Sequence, residues 1–264
     1  MLIVGERINS SRPKIAEAIA TRDRGFIQGE AKAQAEAGAH YIDVNAGAFF
    51  EKEAEYLKWI MEVVQEVCDL PLCLDSPDAK VIREVLPGAR ITPMVNSITL
   101  EPARLEGILP LVADLHTKVI GLCQSEDMMA DSTAAKVELA GRLVEKVKLA
   151  GIPLDDLYLD PLVYPLGTDT RSAMATLEAI ALIMREFPGV HTICGLTNVS
   201  HGLPKRKLIN RTFLIAAIMR GLDGAIMDPT DKELYGSLRA AMAVAGQDEY
   251  CLEYIQAFRA GRLG

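Results

Sequence analysis

The chain has 264 residues, with 28 Lys and Arg against 36 Asp and Glu, a formal net charge of −8, 50% hydrophobic residues and 24% charged ones. This composition excludes long disorder, collagen-like structure and low-complexity assembly, and it leaves enough chain to bury the core of one large α/β domain. The acidic balance repels phosphate backbones and anionic lipid, so neither nucleic acid nor a membrane is an expected partner.

The chain opens on an apolar run, Leu2–Val4, followed by Gly5, Glu6, Arg7 and Asn9. No basic region followed by a long apolar stretch is present there, so the segment reads as a strand rather than a signal peptide. A second run, Tyr41–Val44, ends around Asp43 and Asn45. In Glu53–Cys68, Leu57, Ile60, Met61, Val64 and Val67 recur at helical spacing and make one apolar face. The third run, Pro71–Leu74, leads into Asp75 and Ser76; Ser76-Pro77 reads as an N-cap with proline at the first helical position. The fourth, Ile91–Val95, leads into Asn96-Ser97. The fifth, Val119–Leu122, is the exception and closes without an acid, at Cys123-Gln124. A helix follows over Ala134–Ala150, its apolar face built from Val137, Ala140, Val144 and Val147. The sixth run, Leu157–Leu159, ends at Asp160; the seventh, Thr192–Leu196, leads into Asn198, Ser200 and His201, then the basic triplet Lys205-Arg206-Lys207. The eighth, Ala225–Met227, ends at Asp228, and Thr230 to Glu233 has the spacing of a capping box.

Eight short runs alternating with helical segments imply a parallel sheet with its helices outside. From Glu6 to Asp228 the repeat averages about 32 residues, close to the roughly 31 that a (β/α)8 barrel requires. The expected fold is therefore a single (β/α)8 (TIM) barrel, one domain over residues 1–264. The rival is a doubly wound open sheet, but Gly5-Glu6-Arg7-Ile8-Asn9 is no glycine-rich phosphate turn. Five cysteines with no Cys-x-x-Cys pair read as buried, reduced thiols of a cytoplasmic protein.

In such a barrel, chemistry belongs at the C-terminal ends of the strands. Seven of the eight ends carry an acid or an amide. Any one of these residues could serve only as a helix cap, but Asp75, Asn96 and Asp160 follow directly on apolar runs and so belong to the strand ends. A mouth of carboxylates and amides suits a flat neutral heterocycle rich in N–H donors, because a carboxylate can accept two parallel N–H bonds and an amide can both donate and accept. Lys205-Arg206-Lys207 reads either as a solvated turn or as a clamp for an anionic tail. His40, His116 and His191 are expected as satisfied interior residues, whereas His201 could face the pocket. No zinc-ligand spacing, P-loop or nucleophile elbow appears, and no metal site is expected. A magnesium site on Asp75, Asp160 and Asp228 would lack a strand-end lysine as base.

Leu2-Ile-Val-Gly-Glu-Arg-Ile-Asn9, Asp43-Val-Asn45, Leu72-Cys-Leu-Asp-Ser76, Asn96-Ser97, Leu157-Tyr-Leu-Asp-Pro161, Gly195-Leu-Thr-Asn-Val-Ser200 and Leu208-Ile-Asn-Arg-Thr-Phe213 together resemble the methyltetrahydrofolate:corrinoid protein methyltransferases. These form a pterin-binding branch of the TIM barrels, related to dihydropteroate synthase and to the folate module of cobalamin-dependent methionine synthase. The resemblance runs along nearly the whole chain. It implies that Asp75, Asn96 and Asp160 hold the pterin ring, that Asn198 is the catalytic group beside nitrogen 5, and that His201 and Arg206 make further folate contacts. The family usually has glutamine where His201 stands. Asp43 and Asn45 join the substrate-binding set.

The implied reaction moves a methyl group between nitrogen 5 of tetrahydrofolate and the cobalt of a corrinoid (cobalamin), in the direction methylcorrinoid to tetrahydrofolate, in a demethylation or acetogenic pathway. No Asp-x-His-x-x-Gly corrinoid signature occurs, so the corrinoid is expected on a separate partner protein, and the family's habit implies a homodimer. In the reverse direction an amine leaves poorly until it bears positive charge, so a hydrogen bond at nitrogen 5 must strengthen in the transition state, and Asn198 could donate it. The alternatives are a dihydropteroate synthase-like enzyme, which needs a late Ser-x-Arg motif where Asn198-Val-Ser-His-Gly202 stands, and a non-catalytic folate-binding protein.

Overall fold

A computed structural model describes residues 1–264. The apolar runs form eight parallel strands: β1 Leu2–Asn9, β2 Tyr41–Asn45, β3 Leu72–Asp75, β4 Met94–Ile98, β5 Lys118–Leu122, β6 Leu157–Asp160, β7 His191–Gly195 and β8 Gly224–Met227. They pair in chain order, and β8 pairs with β1 through Leu2 opposite Gly224 and Val4 opposite Ile226, so the sheet closes into a barrel. Helices α1 Pro13–Ala20 and α2 Arg24–Glu36 follow β1; α3 Glu53–Gln65, α4 Ala79–Val85, α5 Pro102–Leu115, α6 Thr133–Leu149, α7 Ser172–Glu186 and α8 Arg206–Ile218 link the next strands; α9 Lys232–Val244 and α10 Leu252–Arg259 follow β8. No helix is long and apolar enough to cross a membrane.

Local chemistry moves some boundaries from their expected places. β4 begins at Met94, after Pro93, and Ile91 is left exposed ahead of it; proline has no N–H for the sheet ladder. The cap of α4 is Asp78, whose side chain accepts from the Lys80 N–H, while Ser76, three residues before the helix, accepts at Oγ from the Asp78 N–H. The cap of α9 is Asp231 rather than Thr230, because the Thr230 hydroxyl donates to Asp228 instead. The histidine expectation fails in part. His40 and His116 are exposed, and His191 is half-buried at the N-terminal end of the barrel, held between Asp223 (2.6 Å) and Asp155 (3.1 Å) and stacked on Tyr158.

Outward-facing strand residues such as Ile42, Val44, Leu72, Leu74, Val95 and Leu159 pack under the helices and are fully or almost fully buried. Each such side chain contributes roughly 1.5–3 kcal/mol through burial. A separate cluster fills the barrel itself: Val4, Cys73, Met94, Ile120, Tyr158 and Ile193. Strand side chains alternate faces with period two. The next inward residue on each strand is therefore Glu6, Asp75, Asn96, Leu122, Asp160 and Gly195, and Asp228 follows Ile226 in the same way. The apolar plug thus sets a layer of mostly polar residues directly above it, at the C-terminal mouth.

Candidate active site

That polar layer forms the floor and walls of a cavity of about 610 Å³, lined by Glu6, Asn9, Arg12, Asp43, Asp75, Asn96, Gly195, Thr197, Asn198, Arg206, Asn210 and Asp228 among others. Strand register produces the row on one side. Asn9 lies opposite Asn45, Asn45 opposite Asp75, and Asp75 opposite Asn96, across β1 to β4. Asn45 Nδ2 donates to Asp75 Oδ2 at 3.0 Å, and its Oδ1 accepts from Ser10 Oγ and the Gly47 N–H. Asn45 therefore holds Asp75 from behind, with both ends of its amide engaged. Asn96 Nδ2 donates to Asp43 Oδ1 at 3.4 Å.

Burial governs the acids here. It pushes the Asp75 carboxyl up to about 6, against the Asn45 hydrogen bond, which lowers it. Asp43, 2% exposed, is held well above the usual carboxylate range by burial and then by the neighbouring Asp75 charge. Asp160 is likewise buried and raised to about 6, although the N–H groups of Leu162 (2.8 Å to Oδ1) and Gly195 (3.4 Å to Oδ2) favour its charged form. It lies beside Gly195, one step back from the open volume.

Asn198 projects from a short 3₁₀ turn, Leu196–Ser200, that follows β7, and it stands exposed in the cavity. The turn is braced by Arg206, which donates from Nη2 to the Thr197 carbonyl (2.7 Å) and from Nε to Ser200 Oγ (3.1 Å). Arg206 also lines the cavity, whereas His201 is exposed beyond the turn and is not part of the wall.

Several wall residues lie outside the set the sequence points to as binding groups, among them Glu6, Arg12, Asn210 and Asp228. Glu6 is almost enclosed, and burial pushes its carboxyl up to about 7, with Asp228 adding to the rise and Arg12, 3.4 Å away, opposing it. The two-residue step from Val4 was the signal for Glu6. Asp228 accepts from Arg7 Nη1 at 2.9 Å, and Arg7 also holds Glu30 of α2. Arg12 and Asn210 come from a loop and a helix start, where no strand periodicity marks them. No three His, Cys, Asp or Glu side chains converge as a metal site would need.

The family described as "Pterin binding enzyme" matches residues 5–228, and the chain belongs to it. Within that class, the chain is 38% identical to the methylcorrinoid:tetrahydrofolate methyltransferase of Eubacterium limosum, over an alignment that takes in 100% of this chain and 98% of that one. It is 28% identical to the methionine synthase of Mycobacterium tuberculosis, covering 86% of this chain but 20% of that larger protein. Among solved structures, the Xanthomonas albilineans dihydropteroate synthase with 4-aminobenzoic acid superposes with a TM-score of 0.70 at 20% identity, over 93% of this chain and 91% of that one. These relatives bear out the family and the barrel expected from the sequence.

Proposed function

We propose that this protein is a methyltransferase that carries a methyl group from a methylcorrinoid protein to nitrogen 5 of tetrahydrofolate. The observation that carries the proposal is the single cavity on which Asp75, Asn96 and Asn198 open, with Asp160 at its edge. In this proposal Asp75 and Asp160 accept N–H groups of the pterin ring, and Asn96 answers a ring carbonyl and ring nitrogen together. Asp43 and Asn45 keep Asn96 and Asp75 in place. Arg206, and His201 beyond it, meet the outer part of the folate.

Asn198 sits beside nitrogen 5. The nitrogen lone pair attacks the methyl carbon; the N–C bond forms as the carbon–cobalt bond breaks, and cobalt keeps both electrons. Positive charge builds on nitrogen 5 until its proton leaves to water at the open mouth. The Asn198 carbonyl can accept that N–H while the charge develops, and in the reverse direction its NH2 can donate to the nitrogen.

The corrinoid arrives on a separate protein as substrate. A homodimer in the cytoplasm completes the proposal; the cytoplasmic setting is supported by five unpaired cysteines, four of them buried. The test is to mix the protein, without oxygen, with tetrahydrofolate and a methylated corrinoid protein. Loss of the methyl–cobalt spectrum with formation of 5-methyltetrahydrofolate is expected. Tetrahydrofolate binding with an unchanged spectrum would leave only a folate-binding protein, and condensation of a pterin diphosphate with p-aminobenzoate would make it a dihydropteroate synthase.

A further inference from the structure

Lys136, in the first turn of α6, is fully buried. Its three ammonium hydrogens meet three backbone carbonyls: Ala130 at 2.7 Å, Pro161 at 2.8 Å and Leu162 at 2.5 Å. None of these partners is a carboxylate. A buried cation satisfied only by dipoles is expensive, so a replacement by an apolar residue would be the simpler way to fill the space.

What the ammonium holds is the segment after β6. Leu162 has φ +57°, a left-handed conformation that is strained for a branched side chain. Its carbonyl is fixed by Lys136 and by the Thr176 hydroxyl at 3.2 Å, while its N–H donates to Asp160 Oδ1. The Tyr164 ring, two residues on, lies 5.1 Å from the same ammonium.

We propose that Lys136 is a positioning residue for Asp160: it clamps the Pro161–Leu162 carbonyls so that the Leu162 N–H aims at the carboxylate, and the clamped ammonium is the nearby positive charge for that carboxylate. This rests on Asp160 being the pterin acceptor described above. The groups facing Asp160 are Lys136 from α6, the Cys123 thiol after β5, the Cys194 thiol of β7, and the N–H groups of Leu162 and Gly195. Of these, Lys136 is the one cation. Asp131 is a further acid near the ammonium.

Lys136→Met keeps the stem and removes the charge and donors. Selective ¹³C labelling of Asp, with Asp160→Asn to assign the signal, reads the Asp160 titration without any ligand. The midpoint should move up by about one unit or more from its value of about 6; a one-unit rise cuts the charged fraction at pH 7 from about nine-tenths to about half, so tetrahydrofolate affinity there should fall about twofold or more, recovering as the pH is raised. Combined with Asp160→Asn, Lys136→Met should add little further loss, as two residues acting through one contact do. If Lys136→Met does not fold, Lys136→Gln, which keeps two donors, carries the same titration. An unmoved Asp160 midpoint overturns the proposal even if affinity drops, since a merely structural role would weaken binding without it. Wild-type protein that binds no tetrahydrofolate would instead remove the folate proposal, leaving the titration to decide on Lys136 by itself.

Discussion

Asn198→Ala separates transition-state stabilisation from binding, because the fold does not depend on the amide. The Leu196–Ser200 turn is held by Arg206 on the Thr197 carbonyl and Ser200 Oγ, and by the His201 N–H on the Asn198 carbonyl. None of these uses the Asn198 side chain, which is exposed, so stability should change by no more than about 0.5 kcal/mol. In the ground state the amide makes one neutral hydrogen bond, and its loss should weaken tetrahydrofolate binding by about 0.5–1.5 kcal/mol, at most roughly tenfold. In the transition state it faces developing charge, and a missing donor or acceptor there costs about 10²–10³ in kcat, or about 3–4 kcal/mol. Stopped-flow decay of the methyl–cobalt band at saturating tetrahydrofolate gives the rate, and calorimetry gives the affinity. Full turnover in the variant, or a loss confined to affinity, would refute the role of Asn198.

Asp160→Ala should abolish tetrahydrofolate binding while Asn198→Ala does not; unchanged affinity by calorimetry would remove Asp160 from the pocket. The raised acids make stability and binding run in opposite directions with pH. Glu6, Asp75 and Asp160 have folded values of about 7, 6 and 6, above their ordinary 4.5 and 3.8. The folded chain therefore holds more protons than the unfolded one in that window, and the unliganded protein should grow more stable as the pH falls from about 8 towards 5. His191, raised by Asp223, adds to the same slope. Thermal melts should show the trend and Glu6→Gln should flatten it, while tetrahydrofolate affinity should drop below about pH 6 as Asp75 and Asp160 lose their charge. Arg7→Ala removes the bonds from β1 to Glu30, Asp228 and Thr230. With Arg7 28% exposed, a loss of about 1–3 kcal/mol in urea unfolding is expected, and an unchanged midpoint would mean that the network contributes nothing to closure.

The barrel was legible because each strand is a short apolar run between polar stretches, and that signal survives without knowledge of partners. The strand ends were legible for the same reason: Asp75, Asn96 and Asp160 interrupt the runs abruptly. What escaped depends on three dimensions. Asn45 resembles Asn96 in sequence, yet register turns its amide onto Asp75 and Ser10. Ser76 and Thr230 look like caps, but each neighbour, Asp78 or Asp231, takes the position and leaves the hydroxyl to a turn or to Asp228. Lys136 looks like any polar-face lysine of an amphipathic helix, since nothing in the local pattern reveals that the Ala130 carbonyl just before the helix and two carbonyls of the distant Pro161–Leu162 segment converge on it.

The distribution of sulfur carries a chemical consequence. A methyl group on cobalt is an electrophile that any accessible thiolate could intercept. Cys73, Cys123 and Cys194 lie close to the carboxylate layer, but all three are buried and kept protonated by that burial. The one exposed thiol, Cys251, precedes α10, away from the strand tips. The unmodified chain can therefore be tagged once with a maleimide dye at Cys251, giving a reporter for encounter with the corrinoid protein that leaves the chemistry undisturbed.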